Sequence, residues 1–560
     1  MAKPWWKKAV VYQIYPKSFM DTTGSGTGDL QGIIEKLDYL QELGVDVIWL
    51  TPIYPSPQRD NGYDISDYCD INPAYGTMET FERLLQEAHA RNIRVIMDIV
   101  VNHTSTEHPW FREASSSKQS PYRDYYIWKD GKNGGAPNNW RSKFGGSAWQ
   151  YDETTGQYYL HLFDVTQADL NWENPKLRQQ VYEMMNFWLD KGVDGFRLDV
   201  INLISKDQRF PDDTLETPMD DGRKYYTDGP RIHEFLKEMN RHVFARKPDL
   251  LTVGEMSSTS IENCVKYTRP DEHELNMVFS FHHLKVDYPN GEKWALADFD
   301  FLQLKKILGE WQYGMQSGGG WNALFWCNHD QPRAISRFGN DREYHRESAK
   351  MLATTIHLMQ GTPYIYQGEE IGMTNPYFDE ISAYRDVESI NAYRQLQEQG
   401  KQEQEILAIL QQKSRDNGRT PMQWDDSPHA GFTSGTPWIN VAPNYKEINV
   451  KRALEDEDSV FYHYKKLIQL RKTYDVIAYG DFRMILDDHP QIFAYLRTYG
   501  NETLLVVNNF YASETSFALP DDIRLAGEPT LLLSNYRDTG LDVRSLSLRP
   551  YESAVFYFAG

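Results

Sequence analysis

The sequence predicts an α/β protein built on a (β/α)8 TIM barrel, and two regularities carry this prediction. Eight short apolar runs, each of a length that suits a buried β-strand, recur along most of the chain. Segments with the apolar repeat of an amphipathic helix alternate with them. Strands that alternate with helices form a parallel sheet, and eight such units close the sheet into a barrel.

The predicted strands and helices follow one another in a regular order. The strands are expected at 10–15, 45–50, 93–101, 194–199, 250–255, 276–281, 321–327 and 362–367. The first helix has Ile33, Leu37 and Leu40 on one face and Gly44 as its C-terminal stop. Further helices are expected at 78–91, 174–191, 230–247, 301–316, 345–360 and 459–474.

Two insertions interrupt this alternation, and a change of pattern ends it. A polar stretch rich in Trp and Tyr, at 104–172, predicts an irregular inserted domain after the third strand, and a charged insertion at about 374–425 follows the eighth. Short alternating strands with turn signals predict an antiparallel β-sandwich near the C-terminus. We therefore expect three domains: a barrel of residues 1–103 and 173–477, an inserted domain of 104–172, and a sandwich of 478–560.

Composition and charge exclude several classes of partner. The chain has 59 Lys and Arg against 80 Asp and Glu, a formal net charge of −21, which argues against nucleic acid or an anionic membrane. Since it has neither a run of about 18 apolar residues nor a signal-peptide pattern, we expect a cytoplasmic protein without a membrane span. We also expect a monomer. The three cysteines, Cys69, Cys264 and Cys327, cannot form a disulfide framework, and we expect all of them to be buried.

Two short strings place reactive groups at the ends of the fourth and fifth strands, GFRLDVIN at 195–202 and VGEM at 253–256. Arg197 and Asp199 are two residues apart on a strand and project together, so the guanidinium can hold Asp199 ionised. Glu255 ends the next strand, at the face where a barrel has its active site. One ionised and one protonated carboxyl group are the groups that cleave glycosidic bonds.

Further polar side chains follow neighbouring strands of the predicted barrel. They are Asp60 and Tyr63 after the second strand, Asp98, Asn102 and His103 at the third, and His329 and Asp330 at the seventh. The sequence has no Cys/His cluster with metal-ligand spacing, no Gly-rich phosphate loop and no Ser in a G-x-S-x-G elbow. It therefore predicts carboxylate chemistry on a polyol, without a metal ion or another cofactor.

The motifs DIVVNH, GFRLDV, GEM and NHDQPR, in this order, resemble the conserved regions of the α-amylase family of glycoside hydrolases. QADLNW at 167–172 and RDNGRTPMQW at 415–424 resemble the oligo-1,6-glucosidase branch of that family. The resemblance covers essentially the whole chain. It implies a retaining mechanism with Asp199 as nucleophile, Glu255 as acid/base and Asp330 as transition-state stabiliser.

The resemblance also implies how the sugar is held. The implied substrate-binding set is His103, His329 and Asp330 for the glucose hydroxyls, Tyr63 for the sugar ring, and Arg197 beside the nucleophile. Asp60 and Arg415 would close the pocket so that it accepts one glucose unit. Arg419 is an alternative to Arg415, because it lies four residues further in the same motif.

Within this branch the chain is most similar to members that hydrolyse α,α-trehalose 6-phosphate, a phosphorylated disaccharide. It departs from the others at NHTSTEH (102–108), NNWRSKFGG (138–146), GEMSSTS (254–260) and FHHLKVDYP (281–289). These segments place Arg141, Lys143 and Lys285 on loops around the barrel mouth, and a 6-phosphate on the leaving sugar would explain them jointly. Lys293 is a further candidate, although a lysine in that setting also occurs in relatives without a phosphate.

Alternatives remain open for the substrate and for a calcium site. An oligo-1,6-glucosidase that acts on isomaltose-type sugars, or a transglycosylating enzyme of the same branch, would share most of these motifs. The loop DTTGSGTGD (21–29) keeps Asp21 and Asp29 of a calcium loop that many relatives carry, but it has Thr23 and Ser25 in the middle positions. Because calcium affinity rises with the number of carboxylates, a plain turn is favoured there.

Overall fold

The computed structural model describes residues 3–217 and 219–560, and its centre is a parallel sheet of eight strands. We number these strands β1 to β8: Val11–Ile14, Val47–Leu50, Arg94–Ile99, Gly195–Leu198, Leu251–Glu255, Met277–Phe279, Ala323–Leu324 and Thr362–Tyr366. Their order in the sheet is β6-β5-β4-β3-β2-β1-β8-β7. A parallel bridge between Val278 and Asn322 joins the two ends, so the predicted barrel is confirmed.

Helices cover the outside of the barrel, which explains why its strands read as continuous apolar runs. They are Leu30–Glu35 and Leu37–Leu43 after β1, Met78–Ala90 after β2, Pro175–Lys191 after β3, Ile232–His242 after β4, Ile261–Thr268 after β5, Phe301–Gly318 after β6, Ala334–Phe338 and His345–His357 after β7, and Val460–Thr473 after β8. The helix Ile261–Thr268 is absent from the expected set. Its eight residues are too short for a clear apolar repeat.

Several helix ends follow from local chemistry. Gly44 ends the helix Leu37–Leu43 with a φ of 97°, the left-handed conformation that glycine adopts without a Cβ clash. The predicted stop at Gly44 is therefore confirmed. Asn174 accepts a hydrogen bond from the backbone N–H of Lys176 and caps the helix Pro175–Lys191.

The insertion after β3 is anchored by the pairing of its two ends. His103–Ser105 forms an antiparallel ladder with Gln167–Asp169 at the barrel mouth. Between them lie the helix Pro109–Ser116 and a three-stranded sheet of Trp128–Lys129, Gln157–Leu160 and Trp149–Asp152. The insertion thus holds polar side chains of both its ends over the end of β3.

The C-terminal part is a small sandwich, as expected. Five antiparallel strands are ordered Asp481–Ile485, Ile492–Tyr499, Glu502–Asn509, Ser553–Ala559 and Thr530–Ser534, and a second sheet pairs Thr515–Phe517 with Leu546–Leu548. Leu505, Phe517, Leu548 and Phe556 belong to the apolar core shared by the two sheets.

The insertion after β8 contains the helices Val387–Glu398 and Glu403–Lys413, and the helices Val450–Glu455 and Asp475–Tyr479 flank Val460–Thr473.

The structure corrects one expectation about the cysteines. Cys264 and Cys327 are buried, but Cys69 is exposed. Cys69 lies in a surface bend after Ser66 and Asp67, and its backbone N–H donates to Asp67 Oδ1 at 2.9 Å, so it does not belong to an apolar run that packs into the core. Among the described residues no helix combines the length and the apolar character needed to cross a membrane.

Candidate active site

The loops that follow the barrel strands surround a cavity of about 230 Å³. The predicted site residues that line it are Asp60, Tyr63, His103, Lys143, Asp199, Glu255, Lys285, Lys293, Asp330 and Arg415. Arg197 and His329 are fully buried in contact with these residues. Arg141 is exposed and does not line the cavity, so the structure does not bring it together with the other candidates.

One guanidinium organises three carboxyl groups at the floor of the cavity. Arg197 Nη1 lies 2.8 Å from Asp98 Oδ1 and 2.7 Å from Asp199 Oδ1, and its Nη2 lies 2.7 Å from Glu255 Oε2. The strand register produces this arrangement, because Asp98 on β3 pairs with Arg197 on β4. The nucleophile and acid/base candidates are therefore both held by one buried charge.

The two carboxyl groups differ in their affinity for a proton. Burial raises the pKa of Glu255 to about 8; Arg197 opposes the shift, and the charges of Asp199 and Asp330 add to it. Burial also raises the pKa of Asp199, but only to about 6, and Arg197 and a hydrogen bond with Glu255 oppose the shift. At neutral pH Glu255 can therefore donate a proton while Asp199 is ionised.

Backbone strain follows the nucleophile candidate directly. Val200 has a φ of 35°, in the left-handed region that a β-branched residue rarely adopts. This conformation lets its backbone N–H donate to Glu255 Oε2 at 3.1 Å. The turn after β4 thus supplies a second fixed contact to the acid/base candidate.

Asp330 is held ionised by two arginines. Arg419 Nη2 lies 2.8 Å and Arg415 Nη1 lies 3.3 Å from Asp330 Oδ1. Burial raises the pKa of Asp330, but the charges of His329 and of the two arginines more than offset it and leave that pKa below its ordinary value. Burial lowers the pKa of His329 to about 3, so this ring is neutral at neutral pH. The positive charge beside Asp330 at neutral pH therefore comes from the two guanidinium groups.

The structure assigns different positions to the two arginines that the sequence left as alternatives. Arg415 lines the cavity, and its Nη2 lies 2.8 Å from Asp60 Oδ1. Arg419 is fully buried, does not line the cavity, and donates through Nε to the backbone carbonyl of His329 at 2.7 Å. Arg415 therefore closes the wall beside Asp60, whereas Arg419 supports the loop that carries Asp330.

The aromatic and imidazole rings of the pocket are tightly packed. Tyr63 stacks on His329 with ring centroids 4.9 Å apart and donates its hydroxyl to Asp98 Oδ2 at 2.8 Å. His103 Nε2 lies 3.1 Å from the carbonyl oxygen of Tyr63. The side chain of Gln167, from the far end of the insertion, donates to Asp60 Oδ2 at 3.0 Å and fixes this corner.

Three lysines also line the cavity. Lys143 is half-buried, and burial, Arg223 and Lys285 lower its pKa to about 7. Desolvation by the surrounding cavity wall, together with the charges of Arg223 and Lys293, lowers the pKa of Lys285 to about 8. Part of this side chain is nevertheless exposed to solvent. Lys293 differs from both, since its Nζ lies 2.7 Å from Glu388 Oε2.

The comparisons with known proteins agree with this geometry. Residues 13–480 match the model of the alpha amylase catalytic domain, and residues 492–555 match that of the alpha-amylase SusG C-terminal domain. The chain belongs to the α-amylase family. Its barrel, its carboxyl groups and its relatives identify it as a glycoside hydrolase of that family.

Relatives of this α-amylase-family chain carry two different names. A trehalose-6-phosphate hydrolase of Bacillus subtilis (strain 168) is 66% identical over 554 residues, which cover 99% of this chain and 98% of the relative. An oligo-1,6-glucosidase of Parageobacillus thermoglucosidasius is 58% identical over 560 residues, with 99% of each chain covered. The crystal structure of Bacillus licheniformis trehalose-6-phosphate hydrolase is 66% identical, covers 100% of both chains and has a TM-score of 0.95.

Some cavity residues were absent from the predicted set. Glu388 lines the cavity, and Asp386 beside it lies 2.5 Å from Arg415 Nη2. Asp386 also caps the helix Val387–Glu398, so its local sequence signal is that of a helix start and does not mark a pocket residue. The aromatic lining residues had no such signal, because an aromatic side chain in an irregular loop reads equally well as core; they are Phe144, Phe163, Phe281 and Tyr288.

The loop that resembles a calcium site is closed by its own hydrogen bonds. Asp21 Oδ2 accepts from the Gly26 N–H at 2.8 Å and from the Thr433 hydroxyl at 2.5 Å. Asp29 Oδ1 accepts from the N–H of Gly32 at 2.7 Å and caps a helix. No group of three or more metal-ligating side chains with suitable geometry occurs within residues 3–217 and 219–560. These contacts favour the plain turn.

Proposed function

We propose that this α-amylase-family enzyme hydrolyses α,α-trehalose 6-phosphate to glucose and glucose 6-phosphate. The observation that carries the proposal is a pair of lysines, Lys143 and Lys285, that line the same cavity as the carboxyl groups of Asp199, Glu255 and Asp330. Among the described side chains neither lysine has a carboxylate partner within ion-pair distance, whereas Lys293 has Glu388. Two basic side chains without a carboxylate partner in one cavity suit a phosphate dianion.

The first half-reaction uses both carboxyl groups. Asp199 attacks the anomeric carbon of the unphosphorylated glucose and forms a covalent glucosyl ester. Glu255, protonated at neutral pH, gives its proton to the bridging oxygen as glucose 6-phosphate leaves. Asp330 stabilises the positive charge that develops on the sugar ring.

The second half-reaction reverses these roles. Glu255, now ionised, takes a proton from a water molecule that attacks the same anomeric carbon. Asp199 leaves as a carboxylate, and Arg197 contacts both groups throughout. Two displacements at one carbon release glucose with the α configuration.

Selectivity arises at both ends of the cavity. Asp60 and Arg415 form a buried ion pair that closes the glucose end, so the pocket accepts one terminal glucose unit. Lys143 and Lys285 receive the 6-phosphate, with Arg223 behind them. Arg223 itself is paired with Asp221 Oδ2 at 2.6 Å, so it contributes long-range potential more than a free contact.

A second candidate is an oligo-1,6-glucosidase activity, which the relative of that name supports. The glucose end of the cavity suits either reaction. The basic wall favours the phosphorylated substrate. Hydrolysis of an isomaltose-type sugar would leave Lys143 and Lys285 without a ligand.

One assay separates these activities. Turnover of trehalose 6-phosphate, trehalose and isomaltose is compared at equal concentration with the same enzyme sample. We expect the phosphorylated disaccharide to be cleaved at least ~10-fold faster than the other two, as one charge-assisted contact to phosphate predicts. Isomaltose as the best substrate would refute the proposal.

The stereochemistry of the product gives an independent check. Early NMR spectra of the released sugar should show α-glucose before mutarotation. β-Glucose as the first product would rule out the double displacement.

The proposal extends to location and assembly. A sugar phosphate does not cross a bilayer unaided, so we propose that the enzyme works in the cytoplasm where this substrate is retained. We also propose a monomer, since one chain supplies every group of the mechanism. A dimer in size-exclusion chromatography coupled to light scattering would refute the latter.

A further inference from the structure

A buried amide on β1 contacts the imidazole of His329, which packs against the cavity residues Tyr63 and Asp330. Gln13 Nε2 lies 2.8 Å from His329 Nδ1, and the two side chains are 1% and 0% exposed. A neutral imidazole has one protonated and one unprotonated nitrogen, and the partner of the first decides what the second can do. Gln13 is therefore placed to decide which nitrogen of His329 carries the proton.

The other nitrogen of the ring faces an acceptor. His329 Nε2 lies 3.4 Å from Asp330 Oδ2, too far or too oblique for a hydrogen bond, and it has no hydrogen-bond partner among the described residues. Asp330 is ionised because Arg415 and Arg419 contact it, so it can only accept. An unprotonated Nε2 would place its lone pair near this negative carboxylate, and the protonated form removes that repulsion.

The ring itself has no freedom to turn away. Tyr63 stacks on it with an interplanar angle of 5°, and Tyr15 stacks at 15° with centroids 6.2 Å apart. The edge of Trp49 packs against the same ring at 6.0 Å. With the ring fixed, the position of the proton is the remaining variable, and Gln13 is the side chain that contacts Nδ1.

We propose that Gln13 is a positioning residue: its amide donates to Nδ1 and holds His329 as the Nε2–H tautomer, which then donates to a hydroxyl oxygen of the bound glucose. The unpartnered Nε2–H is a fixed donor that does not have to be reoriented when the sugar binds. Burial and the nearby arginines lower the pKa of His329, which keeps the ring neutral and makes the choice of tautomer matter. This inference rests on the proposed glucosidase reaction but not on the phosphate.

The first measurement needs no substrate. In enzyme labelled with ¹⁵N-histidine, proton–nitrogen correlation spectra distinguish the protonated ring nitrogen from the unprotonated one. The signals of His329, one of 15 histidines, are identified by their loss in the variant His329→Gln. We expect Nε2–H in the wild type, and Nδ1–H there would overturn the proposal even if every variant failed to fold.

Two substitutions then test the role of the amide. Gln13→Met keeps the length of the side chain but loses the donor, and Gln13→Glu replaces it with an acceptor that favours a proton on Nδ1. On an aryl α-glucoside, which carries no phosphate, we expect kcat/KM to fall about 10–100-fold in Gln13→Met, mostly in kcat, because bonds to the sugar hydroxyls strengthen in the transition state. Gln13→Glu should also move the His329 proton signal to Nδ1.

A matched control separates this role from a loss of stability. Gln312 is another buried glutamine, bonded to the backbone of Gln360 at 2.9 and 2.8 Å. Gln312→Met should lower the unfolding temperature about as much as Gln13→Met does, but leave kcat per folded active site unchanged. If Gln13→Met keeps kcat and KM within twofold of the wild type, Gln13 is merely structural. Because trehalose 6-phosphate is not used, failure here is distinct from failure of the proposed substrate.

Discussion

At the scale of single residues, three buried carboxyl groups share the positive charge of one guanidinium, and they differ in how tightly they hold a proton. Arg197 contacts Asp98, Asp199 and Glu255, but one guanidinium cannot neutralise three buried carboxylates. One proton must therefore stay in the group at neutral pH, and Glu255, whose pKa is raised most, is its holder. The acid and the nucleophile are thus distinguished by their surroundings and not by their residue types.

Asp199→Asn should abolish turnover while the fold is preserved. Asparagine has nearly the same shape but cannot form a glucosyl ester, so we expect kcat to fall at least ~10⁴-fold, the loss seen when a catalytic group of a coupled set is removed. Thermal unfolding and substrate binding by calorimetry serve as controls for the fold. Near-normal activity in a sample free of deamidation would remove Asp199 from the nucleophile role.

Glu255→Gln should lose activity selectively. A leaving group that departs without a proton does not need an acid in the first step, so α-glucosyl fluoride should be consumed with a much smaller loss than the natural disaccharide. We expect the two losses to differ by about 10²–10⁴-fold, the usual contribution of acid catalysis. Equal losses on both substrates would exclude Glu255 as the acid.

Lys285→Ala should weaken binding of the phosphorylated substrate alone. A charge-assisted hydrogen bond to phosphate contributes roughly 1.5–3 kcal/mol, or about 10–150-fold in apparent affinity. Activity on an aryl α-glucoside should barely change, because the glucose end of the cavity is untouched.

Arg141→Ala is the matched control for this substitution, since it removes an exposed basic residue of a neighbouring loop that does not line the cavity. Lys143→Ala should resemble Lys285→Ala. If Lys285→Ala impairs phosphorylated and neutral substrates equally, its role is structural, and if it impairs neither, the phosphate site lies elsewhere.

At the scale of elements, the barrel strands were predictable and the loop contributions were only partly so. Each strand is a short apolar run, which identifies the sheet, and polar residues at or shortly after the ends of β3, β4, β5 and β7 identify its catalytic end. The register of β3, β4 and β5 brings Asp98, Arg197 and Glu255 together, and the motifs already marked all three.

The remaining residues come from segments that meet only in the folded chain. Asp386 and Glu388 belong to the insertion after β8, far in sequence from Asp60, and no local pattern links them to the pocket. Arg141 shows the converse error, because a basic residue two positions from Lys143 in an irregular loop can point away from the cavity. Side-chain direction alternates in a strand but is not set by spacing in such a loop. The domain limits at 104, 173 and 478 remain predictions.

The insertion after β8 should prove essential through Arg415. This side chain contacts Asp60 and Asp386 at 2.8 and 2.5 Å, and lysine keeps the charge but not the planar fork that serves two carboxylates. We expect Arg415→Lys to lower kcat/KM about 10–100-fold, equally for phosphorylated and neutral substrates, because it acts at the glucose end. Arg385→Lys, an exposed arginine of the same insertion, is the control. A loss confined to the phosphorylated substrate would place Arg415 at the phosphate end of the cavity and contradict its assignment to the glucose end.

At the scale of the whole molecule, the net charge of −21 opposes an anionic substrate, and the basic wall of the cavity reverses the sign locally. Salt screens the distant negative charges more than the close contacts inside the cavity. The enzyme thus combines a repulsive surface with an attractive site, and selectivity for phosphate depends on groups within a few ångströms of it.

The same electrostatics predict the pH dependence of the enzyme. With an aryl α-glucoside, which has no titrating phosphate, kcat/KM should follow a bell with apparent pKa values of about 6 and about 8. Below the lower value the nucleophile carboxylate of Asp199 is protonated, and above the upper value Glu255 has lost the proton that it must donate. Since the two groups are coupled through Arg197, the values describe the pair.

The variant Glu255→Gln assayed with α-glucosyl fluoride tests whether Glu255 causes the alkaline limb of this pH profile. Because that substrate needs no proton donor in its first step, the loss of activity above pH ~8 should disappear in single-turnover measurements of glucosyl-enzyme formation, while the loss below pH ~6 remains. With trehalose 6-phosphate and the wild type, the alkaline fall should begin earlier, since Lys143, with a pKa of about 7, loses its charge first. An alkaline limb that persists unchanged in Glu255→Gln would assign it to another group and refute the role of Glu255 in the bell.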